Sequence, residues 1–557
     1  MVAMEAMELS AALSRSSAQE RRLILEALDG SAGMDVLKAV ARHLQDESPS
    51  VCEAAVDALV RFGGEAAAEA ASEALWAEDA SHRGYALEAL VDLGAGALGT
   101  LLRLLGNADR DIRKYAADAL GRVGDAAALP ALVAALEDED VNVAATAAEA
   151  MGMLALPEAV PALARSVAMG PDWLRVASLS SLGRIGTVEA LEAIRAVPRE
   201  ASLPVLLAAV EAAGVAGHAD RARAIGFLCS LLEVAEPPAV EAIVQSLGDL
   251  LALGRHPDIG RSEHDLIDGA ARVALGSPSP RVRSAALTCL GVTGAMIPGG
   301  ATGLVSAAVR GDPDAGVRLA GLRALAAMGK QDCRDLQALA SDPREDPAVR
   351  LQALRLMADV AGVESRASEA VMWGIVREGQ NPVLRVAALR LILKGRGAAV
   401  LPACIEVLAE DGVLEDAAVL GELGSWSEEE TLDVAEVGLA DARPELRRRL
   451  LTSLLPVERA EELGGSERAR AILESALGDE DRRVRFHVVR LAVACPRPWA
   501  VELLLLATND PDDKVRRRAE EALGHALALA QYADGSKSCR PSQEDGRSPG
   551  GPDPCSS

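Results

Sequence analysis

Two ten-residue stretches, Ile112-Arg-Lys-Tyr-Ala-Ala-Asp-Ala-Leu-Gly121 and Val143-Ala-Ala-Thr-Ala-Ala-Glu-Ala-Met-Gly152, share one pattern and begin 31 residues apart. In both, the first, fifth, sixth and ninth residues are apolar or small, so they form one side of an α-helix. An internal period of about this length is typical of proteins built from helical repeats.

The same pattern recurs along nearly the whole chain. With Ile112 as position zero, sixteen repeats have their zero positions at Glu20, Val51, His82, Ile112, Val143, Leu174, Ser202, Ala239, Val282, Val317, Val349, Leu384, Gly412, Leu446, Val484 and Val515. The first five spacings are 31, 31, 30, 31 and 31 residues, which is too regular for chance. Ser202, Ala239 and Gly412 match the pattern weakly.

A second apolar segment precedes the motif in each repeat, as in Leu129-Pro-Ala-Leu-Val-Ala-Ala-Leu136, and an acidic turn such as Glu137-Asp-Glu-Asp140 joins the two. Carboxylates suit this place because they accept hydrogen bonds from the free N–H groups of a helix start. Four glycines mark expected ends of second helices: Gly124, Gly186, Gly294 and Gly329. One hairpin cannot bury both faces, so we expect an all-α, right-handed α-solenoid of about sixteen stacked hairpins.

The turn, and the apolar-arginine step that opens the second helix, resemble the HEAT-repeat family, specifically its short phycobilisome-lyase-type repeat. The step occurs as Ile112-Arg113, Leu174-Arg175, Val282-Arg283, Val317-Arg318, Val349-Arg350, Leu384-Arg385, Leu446-Arg447, Val484-Arg485 and Val515-Arg516. The resemblance implies that these arginines form a ladder between repeats. Each would bind a carboxylate or turn carbonyls and so set the orientation of the repeats. Phosphate or ligand binding is the alternative.

The regularity of the repeats divides the chain into four segments. Residues 1–186 form a regular N-terminal arc, residues 187–279 contain irregular repeats with a loop insertion, and residues 280–530 form a C-terminal arc. Residues 531–557 are predicted to be a disordered tail, because they are rich in serine, proline and glycine and lack periodicity.

The composition excludes several classes of protein. The chain has 557 residues, a formal net charge of −26, and only 2% aromatic residues. The longest apolar runs are interrupted by glutamate, which argues against a membrane-spanning helix, and the acidic N-terminus does not resemble a secretory signal. The eight cysteines form no CxxC pair. We therefore expect a reduced, soluble, cytoplasmic protein, and the scarcity of lysine is typical of a bacterial genome of high GC content.

The insertion at residues 254–265 contains five candidate metal ligands. These are His256, Asp258, Glu263, His264 and Asp265. No HxxxH or HExxH spacing organises them, so a solvated polar insertion is the alternative to a metal site.

Position +6 of each motif lies opposite the apolar stripe and is expected on the concave side of the solenoid. The first five repeats have acids there, an acidic row: Glu26, Asp57, Glu88, Asp118 and Glu149. Later repeats have arginines there, a basic row: Arg323, Arg355, Arg390 and Arg490. We predict that both rows bind protein, and that the acidic row meets a basic partner surface. Ordinary charged helix faces are the alternative.

Two tyrosines, Tyr85 and Tyr115, occupy position +3 of adjacent repeats at the edge of the polar face. Exposed tyrosine beside acids is a plausible interface anchor. Ring packing between neighbouring helices is the alternative.

The motifs favour a non-enzymatic scaffold or adaptor that binds protein, in bacterial signalling or complex assembly. The sequence contains no His-Glu pair of the deoxyhypusine hydroxylase type, no Walker loop and no GxSxG. No cofactor and no metal are expected, and the acidic row argues against nucleic acid. A bilin lyase-like enzyme or accessory subunit, implied by the family resemblance, is the alternative.

Overall fold

The computed structural model describes residues 6–28, 33–233, 235–253, 259–296, 301–330, 332–361, 366–441, 443–457, 466–495 and 497–535. The chain forms two compact units, residues 1–330 and residues 331–557. Both units are built from α-helical hairpins joined by turns, and the described ranges contain no strand. The fold is an α-solenoid, and its described ranges form sixteen hairpins, in agreement with the prediction of about sixteen.

In the part of the first unit that the structure describes, the helices pair into ten hairpins. Their first helices are α1 (Ala6–Arg15), α3 (Met34–Ala41), α5 (Gly64–Ser72), α7 (Leu98–Leu104), α9 (Leu129–Ala135), α11 (Val160–Met169), α13 (Val188–Arg195), α15 (Arg221–Leu232), α17 (Arg261–Ala274) and α19 (Thr302–Gly311). Their second helices are α2 (Ala18–Glu26), α4 (Pro49–Phe62), α6 (Ala80–Asp92), α8 (Arg110–Val123), α10 (Val141–Leu154), α12 (Asp172–Ile185), α14 (Leu203–Ala216), α16 (Pro237–Leu251), α18 (Pro280–Met296) and α20 (Ala315–Ala327).

The described residues of the second unit form six hairpins. Their first helices are α21 (Cys333–Ser341), α23 (Arg366–Glu378), α25 (Leu401–Leu408), α27 (Glu428–Leu439), α29 (Glu467–Leu477) and α31 (Pro498–Ala507). Their second helices are α22 (Pro347–Ala361), α24 (Pro382–Arg396), α26 (Ala417–Gly424), α28 (Pro444–Leu454), α30 (Arg482–Ala494) and α32 (Asp513–Gly535). Because α32 reaches Gly535, residues 531–535 of the predicted tail are helical, and residues 536–557 lie outside the described ranges.

The acidic turns begin the second helices, as the sequence predicts. The Asp109 carboxylate accepts a hydrogen bond from the backbone N–H of Asp111 at 2.8 Å. Asp140 and Asp481 cap α10 and α30 in the same way, at 2.9 and 2.8 Å. In these hairpins position zero lies three residues after the N-cap, which confirms the register taken from Ile112.

Two of the three weak repeat positions are wrong. Ser202 is the N-cap of α14, so position zero of that hairpin is Val205. Gly412 lies in a turn with a φ of +84°, and Asp416 caps the next second helix, which moves position zero to Val419. Neither error could be seen in the motif. A longer or more polar turn moves the start of the second helix along the chain without changing the amino-acid composition of the repeat. Ala239 has the predicted register.

The predicted helix ends are correct at three glycines and wrong at the fourth. Gly124 and Gly186 end α8 and α12 with φ of 75° and 64°, and Gly329 follows α20 with φ of 62°. Gly294 instead lies inside α18, which continues to Met296. A Cβ there would lie 2.9 Å from the Sδ of Met328, so this glycine serves helix packing rather than helix termination.

Neighbouring second helices of the first unit approach closely at glycine. A Cβ on Gly121 would lie 2.7 Å from the Cα of Ala150, and one on Gly152 would lie 2.9 Å from the Cα of Ser181. Such distances are shorter than carbon atoms tolerate, so glycine at position +9 is required for this packing. Small side chains therefore form the contact between repeats, as the scarcity of aromatic residues suggests.

Several of the arginines at position +1 bind the turn of the next hairpin, whereas Arg175 and Arg350 bind carbonyls of their own hairpins. The Nε and Nη2 of Arg113 donate to both carboxylate oxygens of Asp138 at 2.7 and 2.8 Å, and its Nη1 donates to the carbonyls of Asn107 and Ala108. The same paired geometry joins Arg283 to Asp312, Arg447 to Asp479, and Arg485 to Asp510. These contacts confirm the predicted ladder between repeats.

The carboxylate of the ladder lies five residues before position zero of the next hairpin. In two repeats whose position +1 is not arginine, the acid is also missing: Cys52 is followed by Ala77, and Ala144 by Met169. The sequence suggests the pairing of Arg113 with Asp138 but does not fix the rule, because Arg350 is followed by Gly379 and Leu420 is followed by Asp441.

We expect the ladder to make stability depend on pH below about 4. The hydrogen bond from Arg113 lowers the pKa of Asp138 below its usual value. A lowered folded-state pKa adds stability that is fully present above the unfolded pKa, about 3.9, and is lost as pH falls through the folded pKa. Urea unfolding between pH 7 and pH 2.5 should show Asp138→Asn to be less stable at pH 7. The difference from the natural protein should shrink below pH 4. A constant difference across this range would contradict the expectation.

The predicted loop at residues 254–265 is shorter than expected, because α17 begins at Arg261 and contains Glu263, His264 and Asp265. His256 and Asp258 lie outside the described residues. A glycine N-cap at Gly260 allows the helix to start within a polar sequence.

Candidate functional site

The acidic row lies on five second helices that pack in sequence along the first unit. Helices α2, α4, α6, α8 and α10 each contact the next one. The side chains of Glu26, Asp57, Glu88 and Glu149 are exposed, and that of Asp118 is half-buried. The same helical position on adjacent helices repeats at the distance between helix axes, about 8–10 Å.

Three acids of the acidic row form no ion pair with another described residue. Glu26 binds Arg22 at 3.0 Å, and Asp118 lies 3.8 Å from Arg122. Within the described ranges, Asp57, Glu88 and Glu149 make no ion pair. Their spacing is close to the Debye length of about 8 Å at physiological ionic strength, so their mutual repulsion is weak while their attraction for a contacting basic surface is not.

The two tyrosines differ in their surroundings. Tyr85 is half-buried, and burial, followed by the nearby Cys52, Glu53 and Glu88, raises its pKa. The Tyr115 hydroxyl accepts a hydrogen bond from the Nε of Arg83 at 3.1 Å. Tyr115 therefore joins two neighbouring hairpins. Its use as an interface anchor stays a prediction, as does that of Tyr85.

Internal carboxylates engage two arginines of the basic row. The Nη2 of Arg355 donates to Glu422 at 2.7 Å, and the Nε of Arg390 donates to Glu430 at 3.2 Å. Glu422 also lies 3.8 Å from Arg390. These acids were missed from the sequence because they lie 67 and 40 residues beyond their arginines, and because the register error at Gly412 hid the start of α26.

The other two arginines of the basic row remain available. Arg323, in the first unit, and Arg490, in the second, are exposed and make no ion pair with another described residue. Arg490 lines a cavity of about 350 Å³ between α28, α30 and α32. Five cationic side chains line this cavity, Arg448, Arg482, Arg483, Arg490 and Lys514, together with the carboxylate of Asp512.

The described residues contain no group of three or more His, Cys, Asp or Glu side chains placed to hold a metal ion. His264 is buried, with a relative exposure of 7%. Cys52, Cys229, Cys289, Cys404 and Cys495 are buried thiols. Burial raises the pKa of Cys229 and Cys404 to about 12, so these thiols are poor nucleophiles at neutral pH.

Comparison with protein families identifies the repeat. HEAT repeats match residues 6–91, 98–183 and 432–524. These three stretches of the chain are HEAT repeats. The HEAT repeats thus lie in both units. No curated protein matches the chain by sequence.

Solved structures with the same fold include importin beta and Kap95p. Importin beta is 14% identical over 93% of this chain and 84% of its own, with a TM-score of 0.54. Kap95p, in a structure with RanGDP, is 13% identical over 93% of this chain and 83% of its own, with a TM-score of 0.53. A chain of the CpcE–CpcF phycocyanin lyase from Nostoc is 22% identical over 47% of this chain and 94% of its own, with a TM-score of 0.27.

Among the described helices, none taken singly is both long and apolar enough to cross a membrane. One broken pair, Ala80–Asp92 and Gly94–Leu104, meets the length and composition criteria together and is bent by 115°.

Proposed function

We propose that this HEAT-repeat chain is a non-enzymatic scaffold or adaptor that binds a protein with a basic surface, in bacterial signalling or complex assembly. The acidic row carries the proposal. Five consecutive second helices have an acid at the same position, and three of these acids have no ion-pair partner among the described residues. Surface acids that are only solvated do not need to occupy the same position in every repeat. A partner lying across several repeats would instead contact all five acids.

The fold suits such a role because stacked hairpins form an extended surface with one side chain of the row on each repeat. One solved structure of the same fold, Kap95p, binds another protein, RanGDP. For this chain the partner, its pathway and the cytoplasmic location belong to the proposal.

The acidic row can be tested by reversing charges on adjacent helices. We expect Asp57→Lys combined with Glu88→Lys to weaken the capture of a basic partner at least tenfold, because four charge units change at the contact. The full chain would be immobilised and exposed to lysate at 50 and 300 mM salt, with captured proteins identified by mass spectrometry. The specific partner should be lost at high salt and from the variant.

Glu158→Lys combined with Glu189→Lys is the matched control. Glu158 and Glu189 are exposed acids at one shared position of adjacent hairpins, away from the row, and make no ion pair with a described residue. This control changes the net charge equally and should retain the partner. Equal capture by both variants, with unchanged helical circular dichroism, would remove the acidic row from the proposal.

A further inference from the structure

The cavity around Arg490 has more cationic groups than its internal ion pairs neutralise. Glu445 forms an ion pair with Arg448 and lies 3.6 Å from Arg483. Asp512 lies 3.1 Å from Arg482. Arg490 and Lys514 make no ion pair with any residue in the described ranges, and both are exposed. Two full positive charges, with Arg483 only weakly paired, therefore point to an anionic ligand at this cavity.

We infer that this cavity binds a phosphate monoester carried by a phosphorylated protein side chain. At neutral pH a phosphate monoester has a charge of about −1.5 to −2 and three terminal oxygens. It can therefore accept from Arg483 and Arg490 of α30 and from Lys514 of α32 together. A carboxylate offers one charge and two oxygens, which satisfies fewer of these donors.

The walls of the cavity also suit a side-chain phosphate. Phe486, which is half-buried, and Val515 contribute apolar surface beside the cations. A volume of about 350 Å³ accommodates a phosphorylated side chain with part of its backbone. The chain as a whole has a formal net charge of −26, which repels long polyanions but affects a small dianion less.

This site is independent of the acidic row, because it lies in the second unit and uses none of the row's residues. The phosphate site can therefore fail while the acidic row still binds its partner, and the reverse also holds.

The test uses isothermal titration of the full chain with two acetylated five-residue glycine peptides, one with a central phosphoserine and one with serine. At 50 mM salt we expect the phosphopeptide to bind at least tenfold more tightly, and its affinity to fall several-fold at 300 mM salt. Hydrogen–deuterium exchange should locate the protection at residues 482–490 and 513–516.

The double variant Arg490→Ala with Lys514→Ala removes the two unpaired cations and should weaken the phosphopeptide at least tenfold. Because both side chains are exposed, its unfolding temperature should be unchanged. Arg323→Ala is the matched control, since Arg323 occupies the same position +6, is also exposed and unpaired among described residues, and should leave binding unchanged.

Each of the other outcomes has a definite meaning. Inorganic phosphate that binds as tightly as the phosphopeptide, and is lost in the same variant, would support the phosphate site and identify the free ion as its source. A twenty-nucleotide single-stranded DNA that binds as tightly as the phosphopeptide would overturn the assignment to a monoester. Phosphopeptide binding that survives the double variant would overturn the site.

Discussion

Replacing Arg485 by alanine should lower the unfolding temperature of the second unit by about 6 to 12 °C. The Nε and Nη2 of Arg485 bind both oxygens of Asp510 at 2.7 and 2.9 Å, and its Nη1 binds the carbonyls of Asp479 and Glu480. Both side chains of the ion pair are buried, with exposures of 8% and 3%. Removing one partner of a buried pair leaves an uncompensated charge, which costs about 3 kcal/mol or more.

Arg350→Ala is the control, because Arg350 has the same position +1 in the same unit. The residue five before the next position zero is Gly379 rather than an acid, and the Nε of Arg350 binds only the carbonyl of Ala340, at 3.1 Å. We expect its removal to lower the unfolding temperature by less than about 2 °C. Thermal unfolding followed by circular dichroism compares the two variants, and equal losses would contradict a stabilising role of the ladder carboxylate.

Replacing Gly152 by valine should destabilise the first unit by about 3 kcal/mol. A Cβ there would lie 2.6 Å from the Oγ of Ser181 and 2.9 Å from its Cα. Ser181 cannot easily move away, because its hydroxyl donates to the carbonyl of Ala148 at 2.8 Å and its side chain is fully buried. Helices α10 and α12 must therefore separate, and overpacking of this kind typically costs 1–3 kcal/mol or more.

Gly226→Val tests whether the loss comes from close packing rather than from losing glycine itself. Gly226 lies within α15, and a Cβ there meets no atom within 4 Å. Valine has a higher helix propensity than glycine, so the control should be neutral or slightly stabilising. Urea unfolding followed by circular dichroism measures both variants, and a comparable loss in each would show that close packing at Gly152 is not the cause.

Much of the fold can be predicted from the sequence because hydrophobic period and turn chemistry are local. The motif at Ile112 identifies a second helix, and Asp109 and Gly124 mark its start and its end. Arg113 and Asp138 lie 25 residues apart, and their joint presence predicts the ladder. Such signals depend on neighbouring residues of one helix or of consecutive hairpins, so they can be recognised without a structure.

The surface could be predicted only in part. The identity and register of Glu88 and the other acids follow from the sequence, since position +6 faces away from the apolar stripe. The neutralisation of Arg355 by Glu422 does not, because that contact joins residues 67 positions apart and skips a hairpin. The cavity at Arg490 also needs three helices to be placed together before its cations become one group.

The sequence by itself determined that this chain is a stack of helical hairpins, because each hairpin repeats the same apolar stripe, capped turn and arginine. Only the tertiary structure decided which surface charges remain available. Whether an arginine finds a carboxylate depends on distances between helices that are far apart in sequence, and a shift of three or seven residues in one turn, as at Ser202 and Gly412, changes which side chains meet.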